Sequence, residues 1–398
     1  LILFTEVSST SIVFFFGKKD NHDKEIVEGG MAMKEIQISK IILQKRKEKG
    51  LTQDALAEYM GVTKASVSKW ETGQSFPDIT FLPRLASFFN ITIDELIGYL
   101  PQMDKAEIRR VYKDLSDRFG KEPFRQVYRD VLTITEKYYS CFPCLLQMSI
   151  LLLNHHMLED KEAQREVLEK TLQLLRRIRE ESGDLWLMKQ ATSLEATVQM
   201  ILGDSLEVLE LLEPNFLPIS GDEVVLASAY AMRGEAKKAA SVLQVSLYQH
   251  MMNYLSVGAS YLMHVSGDLE VFKKALNRIF PVADTMGIMT LHPNVMGQIA
   301  FSGAHGYMVH GEKEEALKML RLYTEACKNF KFPFQLQGDE FFTEVLPWLE
   351  ELDLGNSAPR GDKLIKEGML SAVREYPLFQ PLQEEPAFRS ILLELENL

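Results

Sequence analysis

The chain has 398 residues, 46% of them hydrophobic and 25% charged, with a formal net charge of −12. That length allows two or three domains with substantial cores, and the composition is ordinary for a soluble protein. Three cysteines with no framework of regular spacings exclude a disulfide scaffold and fit a reducing cytoplasm.

The charge is unevenly spread. Residues 33–100 hold nine Lys/Arg against eight Asp/Glu, and residues 1–32 hold three against five, so residues 101–398 carry a net −11. The acid that would repel a phosphate backbone therefore lies outside residues 33–100.

In chain order, residues 1–32 contain two apolar runs, LILF and IVFFF, split by TEVSSTS. Neither is long enough to cross a bilayer, and no basic segment leads into a continuous apolar core. Glu28-Gly29-Gly30 is what a purine-rich ribosome-binding sequence would encode, and Met31 and Met33 follow at once. The expectation is a translated leader or a disordered tail, with the natural start at Met31 or Met33.

Residues 33–100 read as short helices with clear punctuation. A first helix is predicted over Ile38 to Lys49, ended by Gly50, with Ile38 and Ile42 inward and Ile41 and Leu43 exposed. Its last turn carries Lys45, Arg46, Lys47 and Lys49, which the helix dipole favours. Thr52 is placed to cap a second helix reaching Met60, and Gly61 supplies the left-handed position that ends it. Thr63 caps a third helix running to about Thr72, closed by Gly73. Leu56, Ala57, Met60, Val62, Val67 and Trp70 fall on one inward side, which leaves Thr63, Lys64, Ala65, Ser68 and Lys69 outward. A fourth helix runs from about Thr80 to Phe89, with Pro83 in its first turn and Leu82, Leu85, Ala86 and Phe89 as its apolar stripe. Thr92 and Glu95 form a capping box for a fifth, with Ile93 and Leu96 inward, and Pro101 marks the domain's end.

The residues Gly50-Leu51-Thr52-Gln53, Leu56-Ala57, Gly61-Val62, Val67-Ser68-Lys69-Trp70-Glu71, Gly73, Pro77-Asp78 and Leu85-Ala86 carry a family resemblance. The segment resembles the helix-turn-helix domain of lambdoid phage repressors, Cro proteins and Xre-type bacterial regulators. The resemblance covers about 65 of the 398 residues. It implies a five-helix domain that binds double-stranded operator DNA, usually as a homodimer. It also implies an ion pair between Arg46 and Glu71 and a phosphate contact from Gln53 at the start of the second helix. Lys45 stands where the family usually has leucine; a lysine stem can still cover apolar surface with its ammonium in water.

In a major groove, Lys64 and Lys69 would donate to guanine or phosphate, Ser68 to either, and Ala65 would meet a thymine methyl. Ser66 points toward the second helix and reads as packing. Gln74, with Lys45, Lys49 and Ser75, flanks this face. The alternative for the whole set is a plain solvated helix surface.

Residues 101–120 are expected to form a linker helix, and residues 121–398 to be helical throughout. Self-comparison finds a repeat: ASAYAMRGEAKKAASVL around Gly234 and AHGYMVHGEKEEALKML around Gly311. Ala227 and Ala304, Tyr230 and Tyr307, Ala239 and Ala316, Leu243 and Leu320 recur at matching offsets. Weaker copies centre on Gly203 and Gly267. Small residues let paired helices approach, glycine turns the hairpin, and leucine packs on the next unit. This resembles a degenerate tetratricopeptide repeat, closed by the tail YPLFQPLQEEPAFRSILLEL as a capping helix pair. Such solenoids offer a groove to a peptide or protein ligand. The combined architecture is similar to that of the peptide-pheromone-responsive regulators of low-GC Gram-positive bacteria.

Cys141 and Cys144, with His155 and His156 beyond them, lack the spacing of a zinc site and the strand-to-helix setting of a redox pair, so they read as core. No phosphate-cradling loop, nucleophile elbow or metalloprotease helix occurs. The expectation is an all-α, non-enzymatic, cytoplasmic DNA-binding regulator without cofactor, metal or membrane contact. A DNA-localised scaffold that grips a partner protein is the rival reading.

Overall fold

The computed structural model describes residues 36–99, 102–215 and 221–398; the leader reading of residues 1–32 and the boundary at Pro101 lie outside them. Among the described residues every regular element is helical, apart from one isolated bridge between Gln335 and Ser357. The chain divides into two compact units. One takes in the described residues up to 104 together with 133–144, and the other residues 105–132 and 145–398.

The smaller unit contains α1 (Ile38–Glu48), α2 (Gln53–Met60), α3 (Lys64–Glu71), α4 (Leu82–Phe89) and α5 (Ile93–Ile97). Its core is made by Ile38, Ile42, Leu56, Met60, Val67, Trp70, Leu85, Phe89 and Leu96, all buried. Each large apolar side chain so enclosed contributes roughly 1.5–3 kcal/mol. A single 3-10 turn, Ile79–Phe81, precedes α4, so that helix begins at Leu82, two residues after the expected start. The capping box of α5 is present, with Thr92 N–H donating to Glu95 at 2.9 Å and Glu95 N–H to Thr92 at 3.0 Å. Two burial assignments need correction. Ile93 is exposed, because in a helix of five residues the side facing the core is supplied by buried Leu96 and half-buried Ile97. Ile41 and Leu43 are half-buried, and Ile41 packs against the core. In the same unit Gln102 donates to the Ser140 carbonyl at 3.1 Å, and the thiols of Cys141 and Cys144 are buried.

The larger unit begins with α6 (Lys105–Phe119), expected as a linker. Instead Ile108, Tyr112, Leu115 and Phe119 are buried, and Arg109 donates to the carbonyls of Glu350, Leu352 and Asp353 at 3.0, 2.6 and 3.1 Å. Next come α7 (Phe124–Lys137), α8 (Phe142–His155), α9 (Lys161–Glu181) and α10 (Leu185–Leu202). The carboxylate of Glu195 in α10 is fully buried and takes Arg176 and Arg179 of α9 at 2.9 Å each. His155 stacks on Phe119, and burial pushes its imidazole down to about 4, so it stays neutral.

The repeat hairpins follow: α11 (Ser205–Leu212), α12 (Asp222–Met232), α13 (Ala236–His264), α14 (Leu269–Thr285), α15 (Ile288–Leu291), α16 (Pro293–Val309) and α17 (Lys313–Lys328). Gly234 and Gly311 turn their hairpins at φ +76° and +70°, and Ala227, Ala239, Ala304 and Ala316 lie buried at the helix contacts. Leu320 is buried, whereas its counterpart Leu243 is exposed. Gly267 does not take the left-handed position. After α17 an irregular stretch leads through α18 (Val345–Glu350) to α19 (Asp362–Arg374) and α20 (Pro386–Glu396). The first half of the expected capping pair is a 3-10 turn over Pro377–Leu382, where Pro381 lacks the N–H donor that an α-helix needs at that depth. Phe379, Leu382, Phe388 and Ile391 still close the core over α16 and α17.

α16 lies in the middle of this unit and is buried on nearly every side. A Cβ built at Gly306 would overlap the Phe272 ring of α14. Gly306→Ala should therefore lower the stability of the larger unit by roughly 1–3 kcal/mol in urea unfolding despite alanine's better helix propensity. Gly368→Ala in α19 meets open space and should instead stabilise by about 0.4–1 kcal/mol.

Candidate nucleic-acid interface

α2 and α3 each begin on a threonine. Thr52 accepts from Ala55 N–H at 3.2 Å and Thr63 from Ser66 N–H at 3.1 Å. Each hydroxyl satisfies one donor that the first helical turn leaves over. Gly61, at φ +70°, turns the chain between them. Leu56, Ala57 and Met60 from α2 and Val67 and Trp70 from α3 then point into the core.

That burial decides what α3 shows to solvent. Thr63, Lys64, Ala65 and Lys69 are exposed and Ser68 is half-buried, all on the side opposite Val67 and Trp70. Ser66 is half-buried, with its hydroxyl 2.9 Å from that of Thr63, as packing requires. Gln74 is exposed just beyond the helix; its backbone N–H and that of Ser75 are used on the Lys69 carbonyl at 3.0 and 3.3 Å. The structure thus brings the predicted reading set onto one surface.

The brace behind α3 is a buried charge cluster. Arg46 in α1 grips both oxygens of Glu71 at the end of α3, its Nη2 at 2.9 Å, and donates from Nη1 to the Leu51 carbonyl at 2.6 Å. Burial alone would push the Glu71 carboxyl up. The hydrogen bonds from Arg46 and Gln53 outweigh it and hold the group below its usual value. The Glu71 bond likewise raises Arg46.

Gln53 belongs to this cluster: its amide donates to Glu71 at 2.9 Å. That bond makes Gln53 part of the brace. Two contacts escaped the sequence reading. Lys64 pairs with Asp54 at 2.7 Å, linking the first turns of the two helices, and Arg84 of α4 donates to the Tyr59 carbonyl at 3.1 Å. The signal for the first was opposite charge at corresponding positions of consecutive helices; nothing in the pattern announced the second. The flank cations are also engaged, Lys45 with Glu48 at 2.9 Å and Lys49 over the Phe88 ring at 5.4 Å. Among the described residues no cluster of three or more His, Cys, Asp or Glu is placed to hold a metal, and no helix is long and apolar enough to cross a membrane.

Residues 42–96 match the family model described as Helix-turn-helix. The HTH-type transcriptional activator BcrR of Enterococcus faecalis is 44% identical over 55 residues, which span 14% of this chain and 27% of that protein. The SPbeta prophage-derived uncharacterized HTH-type transcriptional regulator YonR of Bacillus subtilis (strain 168) is 33% identical over 64 residues, 16% of this chain and 59% of that protein. The chain thus spans about a quarter and about three-fifths of the length of these two curated relatives. Two solved structures overlay loosely. Bacillus thuringiensis PlcR, in complex with the peptide PapR7 and DNA, is 15% identical with a TM-score of 0.28, covering 74% of this chain and 96% of that one. The apo form of the competence regulator ComR from Streptococcus vestibularis is 12% identical with a TM-score of 0.28, covering 79% and 96%.

Glu71→Ala removes the carboxylate and leaves a half-buried guanidinium with the Leu51 carbonyl alone, so the smaller unit should lose roughly 1–3 kcal/mol. Because the Glu71 pKa is depressed on folding, its contribution is fully present above the unfolded carboxyl's pKa and lost as pH falls through the folded value. With Trp186 and Trp348 replaced by phenylalanine so that Trp70 alone reports, urea midpoints followed by fluorescence from neutral to acid pH should fall with Glu71 in place, and less steeply in Glu71→Gln.

Proposed function

We propose that the chain is a sequence-specific, double-stranded-DNA-binding transcriptional regulator. In this reading it works as a homodimer in the cytoplasm, and its helical repeats take a peptide or protein ligand that alters how the two reading heads engage an operator. The observation that carries the DNA part is the outward face of α3, short and cationic, held by a braced helix-turn-helix. A helix so presented fits a major groove, with Lys64, Ser68 and Lys69 at base edges or phosphates and Ala65 against a thymine methyl. Thr63, Gln53 and Gln74 lie at the ends of this face, where backbone contacts set register. No catalytic step belongs to this function.

The homodimer draws support from the larger unit. Leu206 and Leu209 of α11, Val224, Val225 and Met232 of α12 and Leu247 of α13 are exposed, a density of apolar side chains that oligomers cover. Sedimentation of the parent should give twice the chain mass, and Val225→Lys should shift it toward the monomer.

Binding-site selection with the purified full chain tests the reading. A regulator should enrich a near-palindrome with half-sites about 34 Å apart; enrichment of no sequence would favour the scaffold. Lys64→Ala and Lys69→Ala should each weaken operator binding. A lost base contact costs about 1–3 kcal/mol and relaxes preference at one position. A lost phosphate contact instead lowers the salt slope by about one unit. Full binding by both variants would show that the assigned face is not the one that reads DNA.

A further inference from the structure

The larger unit contains a partly open cavity of about 230 Å³ between α8, α10, α16, the irregular stretch after α17 and α19. Its walls are mainly apolar, with Ile150, Leu194, Phe334 and Ile365 among them. The cavity exceeds the roughly 150 Å³ that accommodates benzene in a protein interior. Three lining residues are nearly fully buried and hold a polar atom without a hydrogen-bond partner: Gln147 Oε1, Asn154 Oδ1 and His292 Nδ1. Such atoms are costly to leave unmade, and a native interior seldom keeps several of them at one place.

The neighbouring bonds show how these side chains are oriented. Gln147 donates from Nε2 to Asp353 at 3.3 Å and Asn154 from Nδ2 to the Ile150 carbonyl at 2.9 Å, so each has its oxygen left over. Burial pushes the His292 imidazole down to about 4, and it stays neutral. Among the lining residues Asp353 and Arg360 carry opposite formal charges. A third charge in these walls would meet the desolvation penalty with no dedicated partner.

We infer that this cavity binds a small, uncharged, largely apolar molecule carrying a hydrogen-bond donor. The site goes beyond the peptide or protein ligand proposed above and does not depend on DNA binding. Its walls join α8, at the start of the unit, to residues 352–360, the stretch that Arg109 and Tyr112 of α6 also hold. An occupant would therefore tie chain-distant parts of the unit together.

Indole is a suitable probe, a fused apolar bicycle with one N–H. Benzothiophene, which has the same outline with sulfur in place of that N–H, is the control. With the full chain, indole at about tenfold over its Kd should raise the thermal midpoint by roughly 2–4 °C, and benzothiophene by less than half as much. Nuclear Overhauser effects should connect indole to the methyl groups of Ile150, Leu194 and Ile365. Ala372→Leu, which fills the cavity from α19, should abolish the indole shift; if that variant does not fold, the Overhauser contacts in the parent decide. The inference is overturned by absence of both shift and contacts, by an undiminished shift in Ala372→Leu, or by an equal shift with benzothiophene. DNA retention measured in parallel separates the outcomes. Its loss with indole binding intact sinks the regulator reading alone, and the reverse result sinks the cavity alone.

Discussion

Arg46 reaches from α1 to the carboxylate at the last residue of α3 through two nitrogens and, through the third, to the carbonyl just before α2 begins. One planar guanidinium therefore fixes three helix ends, and Gln53 adds a fourth bond from the first turn of α2. Lysine could not replace it, because a single ammonium lacks the forked geometry that spans two carboxylate oxygens and a carbonyl. Enclosing these charges is costly on its own and becomes tolerable because every partner is supplied. What the cluster provides is orientation: with Glu71 anchored, Val67 and Trp70 point into the core and the opposite side of α3 faces out. The candidate interface is the solvent-side image of that brace.

The larger unit is held on a different principle. Its contacts rest on the absence of side-chain bulk, with glycine and alanine along α13 and α16 letting aromatic and branched residues of neighbouring helices come close. Close-packed interiors of this kind respond sharply to one added methyl group. The cavity interrupts that density where the repeat gives way to the irregular stretch after α17.

Local chemistry was the legible part. Thr52, Thr63, Thr92 and the left-handed Gly61 each act on backbone groups within three or four residues, so spacing alone places the helix boundaries. The alanine and glycine offsets of the two hairpins could be read for the same reason. Contacts went unread where the partner is distant in sequence. Gln53 is polar at a helix start, which fits a phosphate contact, yet its amide is taken by a residue eighteen positions on. Leu243 and Leu320 occupy the same place in the repeat, but only one has a neighbour to cover it. α6 shows an amphipathic pattern that does not reveal which surface it will cover. The cavity could not be foreseen, since residues 330–361 lack the periodicity that would have placed them.

Lys64 and Asp54 form an exposed pair at the entrance to the reading face. In water such a pair is worth at most about 1 kcal/mol, so it adds little to folding, but it competes with any incoming phosphate for the same ammonium. On the DNA-binding reading proposed above, a duplex that offers Lys64 a well-aligned acceptor displaces the aspartate, whereas a poorly aligned one returns the lysine to it. On the proposed reading Asp54 is thus a built-in competitor for Lys64, one that only a well-aligned phosphate displaces.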